Sequence, residues 1–236
     1  MNIHSRFLVH WTGRDISMKK PRDLSQSEME SFVERLKAII RDGLRMTRGQ
    51  ETIYGKLNTN IKISTPRICF TEVRLSQAEK HAQEYGLMGI GLSRKFVLSR
   101  YGNPVFYVQN GDRGIVVENL DLVRTSVSHD SNVLKAFEVA LGFLKNMSDK
   151  NKESLKYYDE MEWRIIHSDL LEKEGRIVQS QKNDFYLLKL QPDHIKVIVF
   201  PNHKTKKMAL SNPWLSDHFF NRKIPMVTTV LDCKNF

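Results

Sequence analysis

The chain has 236 residues, enough for one domain, or a domain with an appended subdomain, to bury a core without disulfide staples. Its 37 Lys and Arg against 27 Asp and Glu give a net charge of +10, which permits contact with phosphate backbones and equally describes a solvated surface. Cys69 and Cys233 are too few and too far apart for a disulfide framework or a zinc site. No window approaches the ~18 apolar residues of a membrane span, and no signal peptide opens the sequence, so the expected compartment is the cytoplasm.

Phe7-Leu8-Val9, within Ile3–Thr12, reads as a first strand. A polar stretch follows with the first of three basic clusters, Arg14–Arg22; the others are Arg35–Arg48 and Lys204–Lys207. Because the clusters are spread along the chain, a solvated surface outweighs a dedicated nucleic-acid face. The densest of them, Lys204, Lys206 and Lys207 beside His203, reads equally well as a nucleic-acid patch or as a charged turn between strands. Ser25 and Glu28 form a capping box, Met29, Phe32, Val33, Leu36, Ile39 and Ile40 make one apolar helical stripe, and Gly43 ends that helix.

Arg67–Thr71 is a strand after Pro66, and Ser76–Glu79 is a second capping box for a helix that stops at Gly86. Gly86, Gly89 and Gly91 are out of order for a dinucleotide fingerprint and fit a helix cap and close backbone packing. Ser93 opens a short helix ended by Gly102, and Pro104–Val108 is a strand. Asn132–Met147 carries Val133, Phe137, Ala140, Leu141 and Leu144 on one helical face, with Lys145–Glu153 leading away as an exposed connection. Strands at Glu160–His167, Phe185–Leu190, Ile195–Phe200 and Met226–Leu231 follow, with a helix opened by Asn212-Pro213. The order lacks regular βαβ alternation. It predicts an α+β fold with a split, mostly antiparallel sheet and flanking helices, in a single domain over 1–236.

The 160s carry the main candidate chemistry. Alternation in a strand puts Glu160, Glu162 and Arg164 on one face, with Met161, Trp163 and Ile165 opposite and in the core. Two carboxylates that close raise each other's proton affinity, and Arg164 offsets the repulsion, an arrangement suited to a developing cation or an activated nucleophile. A solvent-facing ladder of salt bridges accounts for the same pattern. His10, at the end of the first strand beside Trp11 and Thr12, could bond a ribose or phosphate, or be ordinary structure. Arg124 with His129, and Arg74 with His81, match the loose spacing of the ribonuclease motif of all-helical HEPN domains. No metal-ligand motif is present.

The stretch Arg67–Ser76, then His81, Tyr85-Gly86, Gly89–Ser93 and Asn103–Tyr107, resembles the core signature of the AbiGi abortive-infection family. Tyr157–Arg164 and Asp193–Lys196 are also similar to it, and the resemblance runs from about residue 3 to 230. It implies a role in bacterial defence against phage, often as the antitoxin of a two-gene system. His10-Trp11-Thr12 and the helix ending Asp42-Gly43-Leu44 are more distantly similar to the start of ADP-ribosyltransferases. That resemblance implies NAD as cofactor, His10 holding its ribose and Glu162 directing transfer, with Glu160 two residues before. Thr12 and Arg164 would join the nucleotide site, and Phe70, Tyr85 or Tyr107 would stack on nicotinamide. Three functions are therefore expected in order: an ADP-ribosyltransferase-like effector acting on nucleic acid or protein, a non-catalytic antitoxin or regulator with a cognate toxin or operator DNA, and a HEPN-like ribonuclease. For the second, Trp214, Phe219 and Phe220 offer either a partner surface or a core-facing helix.

Overall fold

The computed structural model describes residues 7–55, 60–72, 74–109, 115–147, 160–181, 184–222 and 225–235. In chain order these form β1 (Phe7–Thr12), α1 (Gln26–Asp42), β2 (Leu44–Arg45), β3 (Glu51–Tyr54), β4 (Asn60–Ile63) and β5 (Arg67–Thr71). Next come α2 (Ala78–Tyr85), β6 (Met88–Ser93), α3 (Arg94–Leu98), β7 (Asn103–Pro104) and β8 (Phe106–Val108). Helices α4 (Ile115–Ser126) and α5 (Ser131–Leu141) precede β9 (Leu144–Asn146) and β10 (Glu162–Ile166). The last third holds α6 (Asp169–Lys173), β11 (Ile177–Gln179), β12 (Tyr186–Leu188), β13 (Ile195–Phe200), α7 (His203–Leu210), α8 (Pro213–Leu215) and β14 (Met226–Thr229). The mixed, mostly antiparallel α+β class agrees with the sequence; the described strand pairs that run parallel are β13 with β14 and β8 with β9. An all-helical HEPN bundle is ruled out by these sheets, which removes the ribonuclease expectation.

The chain divides into two compact units. Unit 1 is Met1–Arg45, Phe70–Ser99 and Leu187–Phe236, and unit 2 is Met46–Cys69 and Arg100–Tyr186. In unit 1 the strands lie in the order β14-β13-β6-β1, with Val9 also in register with Thr71. Both faces of this sheet are covered: Leu8, Val9, Ile90, Leu92, Val197, Ile198 and Phe200 are all essentially inaccessible. Helix α1 begins at Ser25, whose hydroxyl accepts from the Glu28 amide while the Glu28 carboxylate accepts from the Ser25 amide at 2.7 Å. It ends at Gly43, where φ is 109°. Gly86 ends α2 with φ 126°, and a Cβ there would stand 2.4 Å from the Thr12 carbonyl oxygen, so only glycine fits. The second expected capping box does not form, because a 3-10 turn at Leu75–Gln77 precedes α2 and its cap, Gln77, makes no side-chain bond. Helix α3 opens at Ser93 as expected but stops at Leu98, short of Gly102, and Tyr101 takes a left-handed φ of 56°.

The lysines of the third basic cluster stand on a helix rather than on a turn. Asn202 accepts from the Thr205 amide at 2.9 Å and caps α7, which carries His203, Lys204, Lys206 and Lys207. Phe219 and Phe220 face the core, and Trp214 is half-buried against His218, so the expected partner patch there is a core-facing segment.

Unit 2 is built around Ile53, Ile61, Ile63, Val108, Val117, Leu141 and Leu144. The hairpin β3–β4 pairs Glu51 with Ile63 and Tyr54 with Asn60. The helix expected over Asn132–Met147 ends at Leu141, since Leu144–Asn146 pairs in parallel with β8. Lys145 and Asn146 are therefore buried, not part of an exposed connection. Asn146 ties β9 to β3, donating to the Thr52 carbonyl at 2.8 Å and accepting from the Tyr54 amide at 3.2 Å. Strand β10 pairs antiparallel with β7, and the His167 amide donates to the Pro66 carbonyl at 2.9 Å.

Candidate functional site: a buried charge cluster in unit 2

Alternation along β10 does place Glu162 and Arg164 on one face, but that face is buried. They are 4% and 2% exposed, whereas Trp163 opposite is only half-buried. The solvent-facing ladder is thus corrected to an interior cluster. Glu160 precedes the strand, and Met161 between the two carboxylates has a left-handed φ of 45°. That kink breaks simple alternation and still lets Glu160 and Glu162 reach the same cation.

The cation is Lys145, the central residue of β9. Its ammonium donates to Glu160 Oε2 at 2.5 Å and to Glu162 Oε2. Glu162 Oε1 accepts from Arg164 Nε at 2.6 Å, and its amide donates to the Tyr107 hydroxyl at 2.8 Å. Arg164 Nη1 donates to the carbonyls of Gly142 and Leu144 at 2.8 and 2.9 Å, and Nη2 lies 2.8 Å from Glu51 Oε2. Arg67 Nη2 donates to the same Glu51 oxygen at 3.3 Å. Three carboxylates face three cations, so the cluster is neutral as a whole, as burial of charge demands.

The electrostatics follow from that balance. Burial by itself would raise the Glu162 carboxyl, yet Arg164 and Lys145 outweigh it and hold the group down at about 2. Burial by itself would lower Lys145 and Arg164, and the carboxylates reverse both shifts, so each remains a firmly held cation. Desolvation pushes the Tyr107 phenol up to about 12. Cys69 has accessible area, yet protein crowds its thiol closely enough that desolvation, then the Glu162 charge, pushes it up to about 12. At neutral pH the cluster therefore holds an ionised Glu162, a protonated Lys145 and an un-ionised thiol. Neither Lys145 nor Cys69 is poised as a nucleophile.

The other expected site residues belong to unit 1. His10 meets Phe70 edge-on at 5.9 Å, and Phe70 is 1% exposed. Thr12 Oγ1 accepts from Arg35 at 3.1 Å, and Tyr85 stacks on His81 at 6.2 Å. For a nucleotide the fit is incomplete: in this arrangement every guanidinium nitrogen of Arg164 already has a protein partner, and Phe70 has no open ring face. Tyr157–Asp159 of the family signature, and Ile3–Arg6 of the first expected strand, lie outside the described residues. Among the described residues no group of three or more His, Cys, Asp and Glu is placed to hold a metal, and no helix is long and apolar enough to cross a membrane.

Lys145, Glu51 and Arg67 were not legible as site residues. Lys145 follows an apolar helical stripe, and Glu51 lies in a short polar stretch without a strong strand pattern. No curated protein and no solved structure matches the chain. A family model does match, over residues 44–201, a span that contains the whole of unit 2; its description is "Putative abortive phage resistance protein AbiGi, antitoxin". The match covers more than half of the sequence, and the chain belongs to the AbiGi family.

Proposed function

We propose that this chain is the antitoxin of an abortive-infection pair and acts by binding its cognate toxin through unit 2. The observation that carries the reading is the outward face of α4 and α5. Ile115, Leu122, Val123 and Val133 are 71%, 67%, 44% and 47% exposed, which is much apolar surface for one pair of helices. Between Ile115 and Leu141 there are four carboxylates, Glu118, Asp121, Asp130 and Glu138, against Arg124 and Lys135. A net acidic pair of helices with exposed apolar side chains, on a basic chain, is complementary to an apolar groove rimmed by Lys and Arg on the partner. The self-compensated charge cluster supports the same reading, because it fixes β3, β9 and β10 without offering a free catalytic group.

The test is co-expression with the cognate toxin. Leu122→Glu and Val133→Glu should abolish neutralisation and complex formation while leaving the melting temperature unchanged, since both side chains are exposed. Neutralisation at the wild-type level by both variants would overturn the proposal.

A second reading keeps the transferase chemistry, with NAD as donor and nucleic acid or protein as acceptor. One observation favours it: Glu160 and Glu162 converge on Lys145, as two carboxylates of a transferase site would on one centre. Glu162 would have to release Arg164 or Lys145 to meet a ribose hydroxyl. Transfer of label from NAD to an extract, lost in His10→Ala, would establish this reading in place of the first.

A further inference from the structure

The charge of +10 is not shared evenly. Unit 1 carries 21 Lys and Arg against 12 Asp and Glu, and unit 2 carries 16 against 15. Almost the whole excess belongs to unit 1, where it raises the local potential more than the same charge spread over the chain.

Two of the basic clusters meet in that unit. Asn202 is 8% exposed, and besides capping α7 it donates from Nδ2 to the Pro21 carbonyl at 2.6 Å, joining positions 181 residues apart. Lys20 and Arg22 flank Pro21, and Lys204 stands two residues beyond Asn202, so one buried hydrogen bond gathers all three. Lys207 lies further along α7. Lys20, Arg22, Lys204 and Lys207 are exposed, and none has a carboxylate partner among the described residues. The carboxylates of this unit are largely engaged elsewhere: Glu28 neutralises Lys19 at 3.1 Å, Asp232 is 3.3 Å from His203, and Asp23 follows Arg22. On α1, which packs against α7, Glu34 pairs with Lys37 at 2.8 Å and Glu30 with Gln26 at 2.9 Å. The amino end of α7, pointing at the same junction, adds the positive pole of its backbone dipole.

We propose that this junction is a phosphate-binding face for nucleic acid; it stands independently of the partner-binding reading. The cations sit on a turn and a capped helix pinned to each other by the Asn202–Pro21 bond. An anionic membrane would also require apolar side chains to insert. Within the loop Met18 is exposed, but α7 exposes only Leu210 among its large apolar residues, at the end away from the junction.

The test titrates the full-length chain with short fluorescein-labelled duplex DNA and single-stranded RNA of arbitrary sequence, from low to physiological salt. Wild-type affinity should fall steeply with salt. The variant Lys20→Gln/Arg22→Gln/Lys204→Gln/Lys207→Gln should reduce the slope of log affinity against log salt on duplex DNA by about 3 to 4. A control with the same change of charge in unit 2, Arg48→Gln/Lys62→Gln/Lys135→Gln/Lys173→Gln, should bind as wild type does. Unchanged melting temperatures show that charge, not folding, is responsible. The proposal is overturned by an absence of wild-type binding, by equal loss in the control, or by binding to phosphatidylserine vesicles without binding to either nucleic acid.

Discussion

Replacing Lys145 by Met keeps the length and apolar stem of the side chain and removes its charge. Glu160 and Glu162 then face each other in the interior without the ammonium that bridges them. Breaking a buried ion pair by removing one partner costs about 3 to 5 kcal/mol. Glu162 keeps Arg164, so the lower end, about 3 kcal/mol, is expected at neutral pH. The pH dependence supplies the sharper test. In the native protein Glu162 is held at about 2 against an ordinary 4.5. Its stabilising contribution, about 3 kcal/mol, is complete above 4.5 and lost as pH falls through about 2. In the variant the repulsion raises one of the two carboxyls above its unfolded value, so its contribution is lost as pH rises instead. The deficit of Lys145→Met should therefore be greatest near about pH 7 and shrink by about pH 5. Urea unfolding followed by circular dichroism at the two pH values measures it. A deficit below about 1 kcal/mol at neutral pH, or one that does not shrink on acidification, refutes the reasoning.

Three further outcomes follow from the same geometry. Arg164→Lys keeps the charge but loses the fork that reaches Glu162, Glu51 and two carbonyls; it should cost about 3 kcal/mol in denaturant unfolding, well beyond an exposed ion pair. Gly86→Ala forces a Cβ against the Thr12 carbonyl at a positive φ and should lower stability by about 2 kcal/mol or more, read as a fall in melting temperature. Ser25→Ala leaves the Glu28 amide without its acceptor and should cost about 1 kcal/mol, restored in large part by Ser25→Asp.

The elements most legible in the sequence are those whose burial is decided locally. The stripe from Met29 to Ile39 with its cap and terminal glycine, and the apolar runs Arg67–Thr71 and Ile195–Phe200, needed no distant partner to be recognised. The helix ending at Leu141 was overrun because Leu144 continues its stripe three residues on, and only pairing with Phe106–Val108 makes that stretch a strand. The same non-local pairing hid Lys145. For β10, alternation determined which side chains share a face but not which face meets water, since the neutralising charges come from Glu51 and Lys145 elsewhere in the chain. Helix α4 went unread because its apolar residues do not keep to one side: Val117 is buried while Ile115 and Leu122 are exposed. A charged turn accounts for the lysines of α7 as well as a helix does until Asn202, four positions before Lys206, is seen to cap the segment.

The charge cluster also bears on how unit 2 reaches its native state. Its members come from β3, β5, β9, β10 and, for Glu160, the position two before β10, so no local segment can complete it. A partly assembled chain that brings Arg164 out of water before Glu51 and Glu162 arrive has an unpaid charge in an apolar setting, and is driven back. Half-built forms are thus scarcer than an all-apolar core of the same size would allow. Completing the cluster therefore favours pairing of these strands together over pairing one at a time.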